Sequence, residues 1–190
     1  MPWPRAHDTR VIPNLPARLQ ALLHPAAYSH PVRSVEVVET HISWVFLTGE
    51  LAYKIKRPVH LPFVDLRSLE RRAFFCGEEL RLNRRFAPEL YLRVSPVTLE
   101  NGAARIAGQG EVIDYAVCMR QFPAADELGA LLASVEIEPE ALAVFGGELA
   151  RLHAVLPRPA EEEPWGRSET VRALLLRNLC LLYTSDAADE

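Results

Sequence analysis

The chain has 190 residues, 49% of them hydrophobic and 24% charged, and a formal net charge of -4. That length and balance suit one medium domain or two small ones with a real core, and they exclude global disorder and fibrous structure. An acidic chain offers no basic surface to draw in nucleic acid, and no run approaches the roughly 20 apolar residues of a membrane span. The start, MPWPRAHDTR, lacks the apolar core and small-residue cleavage site of a secretory signal. Cys76, Cys118 and Cys180 are far apart, form neither a disulfide framework nor a metal spacing, and fit a reducing cytoplasm.

In chain order, the proline-rich first thirty residues hold one short amphipathic helix candidate, residues 15–23 (LPARLQALL), ended by His24-Pro25. Residues 32–40 (VRSVEVVET) alternate apolar with polar at period two, residues 44–48 (WVFLT) are a short apolar run, and residues 51–56 (LAYKIK) alternate again after the Gly49-Glu50 turn. These predict three antiparallel strands in a meander, broken afterwards by Pro58 and Pro62. Residues 69–86 predict the clearest helix, with Ser68 as N-cap and Pro88 as its stop. Phe75, Glu79, Leu82 and Phe86 fall on one stripe of it at helical spacing.

Residues 90–98 predict a fourth strand, and Glu100-Asn101-Gly102 is a strong hairpin signal. A short arm, 103–107, leads into a further strand at 112–119. After Phe122-Pro123 the pattern becomes helical: residues 126–134, then 139–156 with Leu142, Phe145, Leu149 and Leu152 on its apolar face. The connector at 157–166 reads as a surface loop, and a last helix runs from Ser168 to about Asn178.

The candidate chemistry begins with lysine. Of 21 basic residues only Lys54 and Lys56 are lysines, and they stand two apart in the third predicted strand. Residues two apart point to one face, so two ammonium groups project side by side and need solvent or an anion to relieve their repulsion. The sharper reading is a phosphate-contacting site that uses a compact, flexible ammonium. The bland one is a pair of solvated lysines on an exposed sheet face. Glu79 lies on the apolar stripe of the following helix, where a carboxylate is costly unless paired, and Glu78 takes its place if the phase is off by one. Either glutamate can pair with a strand lysine, or with Arg81, Arg84 or Arg85 along the helix surface.

The order of these elements, the lysine in the third strand and the glutamate in the next helix resemble the small lobe of the kinase-like fold. The runs AYSHPVRSVEVVETHISWVFLTGELAYKIKRPV, FFCGEELRLNRRFAPELYLRVSPV, EVIDYAVCMRQFP and LARLHA resemble the aminoglycoside phosphotransferase-like family, in its bacterial branch of predicted aminoglycoside phosphotransferase family enzymes. The resemblance covers roughly residues 22–156. It implies an α+β fold: a protein-kinase-like small lobe, an antiparallel sheet plus one helix, followed by the first helices of an incomplete α-helical large lobe. It divides the chain into an N-terminal extension (1–31), the small lobe (32–122), the start of the large lobe (123–178) and a non-native or disordered tail (179–190) whose LCLLYTSDAADE run has no family counterpart.

The same resemblance implies a function. Lys54 matches the nucleotide-phosphate lysine, with Lys56 as the register alternative, and Glu79 or else Glu78 matches its helix partner. Thr40, His41 and Ser43 fall in the loop over the phosphates, which here lacks the Gly-x-Gly-x-x-Gly pattern, so hydroxyls stand in for backbone cradling. Met119, Arg120, Gln121 and Phe122 match the connector whose backbone bonds adenine. The implied reaction moves the terminal phosphate of ATP to the hydroxyl of an unidentified small molecule, with Mg2+ as cofactor. The family's His-Gly-Asp run and its metal aspartate are absent from this sequence, so catalytic and metal-ligating residues are expected outside it. The chain reads as a fragment truncated before its catalytic segment and expected to be inactive alone. The alternative is a non-catalytic, pseudokinase-like module that binds a nucleotide or a partner.

Overall fold

Strands form where the alternating runs find a neighbour. The computed structural model describes residues 15–134, 137–158, 160, 163–164 and 166–186, with the backbone alone for Pro139 and 178–186. β1 (Glu36–Glu39), β2 (Ser43–Leu47) and β3 (Leu51–Lys56) make the expected meander. β1 is shorter than the 32–40 run because β2 ends at Leu47, which is already paired with Glu36. Pro58 and Pro62 do not simply break the pattern, since a two-residue hairpin, β4 (His60–Leu61) with β5 (Val64–Asp65), turns at Pro62-Phe63.

Helix α1 (Leu69–Asn83) starts at the predicted cap, where the Ser68 hydroxyl accepts the amide of Arg71 at 3.2 Å. It ends three residues before Phe86, and the chain turns through that segment instead. β6 (Tyr91–Glu100) and β7 (Ala103–Ile106) are joined by a tight turn. Asn101 at φ 50° and Gly102 at φ 80° both take the left-handed backbone that this turn needs. β8 (Glu111–Arg120) then enters the sheet between β3 and β6, giving the order β1-β2-β3-β8-β6-β7 with every pair antiparallel.

The two faces of this sheet are covered differently. Trp44, Phe46, Tyr53, Ile55, Ala116 and Cys118 pack with Leu15, Leu19 and Leu22 from the N-terminal segment. Residues Ala17–Leu23 form a 3-10 helix rather than an α-helix. Leu19 and Leu22, three apart, therefore fall on one side of it and are fully buried. The described part of the segment read as an extension thus supplies core; residues 1–14 lie outside the described residues. The opposite face carries α1.

On α1 the predicted stripe faces the sheet only in its first half, at half-buried Phe75 and at Glu79. Leu82 and Phe86 are 43% and 47% exposed, while Arg72 and Cys76 are buried at 3% and 0%. The helix turns inward on Arg72 because its guanidinium meets Asp114 of β8 at 2.8 Å and caps the carbonyls of Leu66 and Arg67. Asp114 is fully buried; its Oδ1 also accepts the amide of Tyr115, and Arg18 approaches Oδ2 at 3.7 Å.

Contacts divide the chain into two compact units, 1–143 and 144–190. The first ends with a 3-10 turn (Ala124–Asp126), α2 (Leu128–Ser134) and the start of α3 (Pro139–Val155). The second holds the rest of α3 and α4 (Ser168–Asp186). The backbone of α4 passes Asn178, since nothing between 178 and 186 is a glycine or proline; of the expected tail, 187–190 lie outside the described residues. Mixed α+β class is therefore observed. Among the described residues no helix is long and apolar enough to cross a membrane.

Removing one partner of a buried ion pair strands the other charge. Arg72→Met is expected to lower unfolding free energy by about 3–5 kcal/mol, measured by urea denaturation. A loss within experimental error would show that the pair does not anchor α1.

Candidate functional site

The lysine strand presents alternate residues to opposite faces. Tyr53 and Ile55 enter the core, whereas Ala52, Lys54 and Lys56 face α1. Glu79, one turn beyond Cys76, reaches back to this face, and its two oxygens are divided between the lysines. Lys54 Nζ donates to Oε1 at 2.8 Å and Lys56 Nζ to Oε2 at 2.5 Å. The side chains of Lys54, Lys56 and Glu79 are 28%, 7% and 13% exposed. The solvated-lysine reading is thereby excluded.

Glu78 goes elsewhere. Its carboxylate takes two hydrogen bonds from Arg81 at 2.9 and 2.7 Å on the helix surface. The register question between Lys54 and Lys56 has a different outcome, because both meet Glu79. They differ in access: Lys54 is the more open, and Lys56 lies under the sheet opposite Ser43.

Charge is unbalanced here. One carboxylate faces two ammonium groups, leaving one formal positive charge in a half-buried setting. Burial pushes the Glu79 carboxyl up, but the charges and hydrogen bonds of Lys54 and Lys56 outweigh it and hold it below its ordinary value. Tyr91 of β6 completes this neighbourhood. Burial raises its phenol, with the Glu79 carboxylate adding to the rise and Lys54 opposing it. Desolvation pushes the Cys76 thiol up to about 11, partly offset by Lys56.

Next to the lysines on the same face is an apolar patch. Val38, Val45 and Ala52 are buried together, with Leu47 and Met119 packed against them. The connector after β8 borders this patch. The amide of Arg120 donates to Leu90 and that of Gln121 to Glu50, while the Gln121 side chain accepts the amide of Gly49. No hydrogen bond among the described residues engages the amide of Phe122.

The β1–β2 loop is tightly made. Thr40 donates its hydroxyl to the carbonyl of Ser43 and accepts the amide of Ser43, both at 3.0 Å. Ser43 is the first residue of β2 and fully buried, its hydroxyl without a hydrogen-bond partner among the described residues; His41 is exposed at the tip. Arg57 braces the loop by donating to the Thr40 carbonyl at 2.9 Å, pairing with Glu39 at 2.8 Å and lying over the Trp44 ring. The structure thus brings Lys54, Lys56 and Glu79 together, sets Met119 beside them in the patch, and puts Glu78 outside.

Sequence reasoning missed Tyr91, Arg57 and the apolar patch. Period two along β3 already puts Ala52 on the lysine face, so part of the patch was available; Tyr91 depends on where β8 enters the sheet. Among the described residues no group of three His, Cys, Asp or Glu side chains is placed to hold a metal ion.

No protein-family model matches the chain, and no solved structure matches it. Over 128 residues it is 32% identical to uncharacterized proteins of Mycobacterium bovis and Mycobacterium tuberculosis. The matched stretch is 66% of this chain, and the chain spans about a quarter (24%) of the length of those relatives.

Because the folded carboxyl of Glu79 lies below its ordinary 4.5, its stabilising effect is complete above that pH and is lost as pH falls through the lower, folded value. Glu79→Gln is expected to cost about 3 kcal/mol at pH 7 by leaving two ammonium groups unanswered. The difference from the intact protein should narrow below pH 4.5. Thermal melts from pH 7 to 3 check both, and a difference independent of pH would remove the assigned ion pairs.

Proposed function

We propose that this chain forms the nucleotide-binding part of an ATP-dependent small-molecule phosphotransferase, with a kinase-like small lobe as its fold. The observation that carries this reading is the surplus positive charge of Lys54, Lys56 and Glu79 in a half-buried place. A polyphosphate supplies the missing negative charge, and Lys54 has donors and exposure with which to meet it.

Two further features suit the rest of a nucleotide. Ala52 precedes Lys54 by two strand residues, about 7 Å, so the patch of Val38, Val45, Ala52 and Met119 lies about where an adenine face would rest once phosphate reaches Lys54. The Phe122 amide, at the edge of that patch, is a donor left over among the described residues. In this reading Glu79 orients Lys54, the patch excludes water from one side of the base, and Arg57 keeps the β1–β2 loop folded close by.

The residues present fit ATP and do not fit its magnesium, since no metal-ligating group converges among the described residues. Transfer to a hydroxyl acceptor belongs to the proposal for the longer protein, as the relatives are about four times the matched length. The reading of this chain as a truncated piece also stays a proposal. The second reading is a non-catalytic module that binds a nucleotide or a partner. The cytoplasmic setting is proposed on the spacing of the cysteines and the buried state of Cys76 and Cys118.

Isothermal titration of the full chain with ATP, with and without Mg2+, tests the binding claim. Lys54→Met is expected to weaken binding about 10–100-fold, the worth of a hydrogen-bonded charge pair. Absence of binding by the intact protein, or equal affinity in Lys54→Met, would overturn it. Neither reading expects turnover from this chain, whose catalytic residues are expected outside it; ADP release by the longer protein favours the phosphotransferase, and binding without ADP release by the longer protein favours the module.

A further inference from the structure

The two lysines stand in unlike positions although they share one carboxylate. Lys54 sits mid-strand between Val45 and Val117, with more than a quarter of its side chain open to solvent. Lys56 ends the strand opposite Ser43, almost wholly covered, with its charge felt at the Cys76 thiol. A ligand arriving from solvent can reach the first ammonium without rearrangement. It cannot reach the second.

We propose that Lys56 is a positioning residue for the anion site: its buried ammonium holds Glu79 Oε2, so that Lys54 keeps positive charge and hydrogen-bond donors in reserve for a polyphosphate. This rests on the nucleotide-binding reading and deepens it. With a single lysine, Lys54 and Glu79 would form a neutral pair, and an incoming phosphate would meet the field of a carboxylate as well as that of an ammonium. With Lys56 in place each carboxylate oxygen has its own ammonium, at 2.8 and 2.5 Å. The cluster then carries one net positive charge, and that charge is expressed at Lys54 because Lys54 is the exposed member. Opposite charges a few ångströms apart interact strongly away from bulk water, so removing a buried charge that never touches the ligand should still weaken binding.

The remaining charged and titratable groups around the cluster do not substitute for Lys56. Tyr91 is held neutral by its burial, Cys76 is a thiol pushed toward its neutral form, and Glu78 is occupied with Arg81 on the outer surface. Arg72 is engaged with Asp114. Asn83 donates to the backbone carbonyl of Glu79 and leaves its carboxylate to the lysines.

The test is titration of the full chain and its variants with inorganic tripolyphosphate and ATP as probes. Lys56→Met is expected to raise Kd about tenfold, and Lys56→Arg to stay within about threefold of the intact protein. An unchanged Kd in Lys56→Met, or a Lys56→Arg as weak as Lys56→Met, would overturn the inference. If Lys56→Met does not fold by circular dichroism, Lys56→Gln, which loses the charge and keeps a hydrogen-bond donor for Glu79, decides: a Kd raised about tenfold supports the proposal, and an unchanged Kd overturns it. Failure of the intact protein to bind either probe removes the nucleotide reading itself. Binding lost in Lys54→Met but untouched in Lys56→Met leaves that reading standing and removes only the role of Lys56.

Discussion

A carboxylate lying between a helix and a sheet is tolerable only when its charge is answered, and Glu79 is answered twice. Lys54 and Lys56 take one oxygen each, so two charge-assisted hydrogen bonds tie α1 to β3. β3 is flanked by β2 and β8, which means that one ion-pair cluster links the helix to the middle of the sheet. The same cluster is over-supplied with positive charge. The structural tie and the proposed anion site share a single arrangement.

A second buried charge pair works on the same helix. Arg72 and Asp114 join the first half of α1 to β8, as Glu79 joins its second half to β3. Both contacts fall on the side of α1 that also buries Cys76. The helix is held less by an apolar stripe than by two ionic anchors with a small thiol between them. Such anchors stabilise little compared with apolar packing of similar volume, yet breaking either is costly. They fix the rotation of the helix, and that rotation decides that Glu79 faces inward while Glu78 faces Arg81.

Much of this was legible in the chain. Period-two alternation located β1 and β3, a short apolar run located β2, the Ser68 cap located the start of α1, and Asn101-Gly102 located the β6–β7 turn, because each signal acts within a few residues. The uniqueness of Lys54 and Lys56 marked the site, and strand geometry placed them on one face. The phase of α1 was legible only in part: the stripe that put Glu79 inward also promised to bury Leu82 and Phe86, which are exposed, because apolar counting gives no weight to an arginine that buries itself against an aspartate forty residues away. The 3-10 form of Ala17–Leu23 was likewise hidden, since the spacing of Leu19 and Leu22 serves either helix.

The sequence by itself determined the strands of the main sheet, the helix that follows the first three and the two residues most worth examining, since these depend on local backbone preferences and on composition. Only the tertiary structure decided which glutamate meets the lysines, that both lysines meet it, and that one is open while the other is covered. Those outcomes depend on where β8 inserts and how α1 is rotated by Asp114, and no local pattern encodes a contact between elements that are joined only by folding.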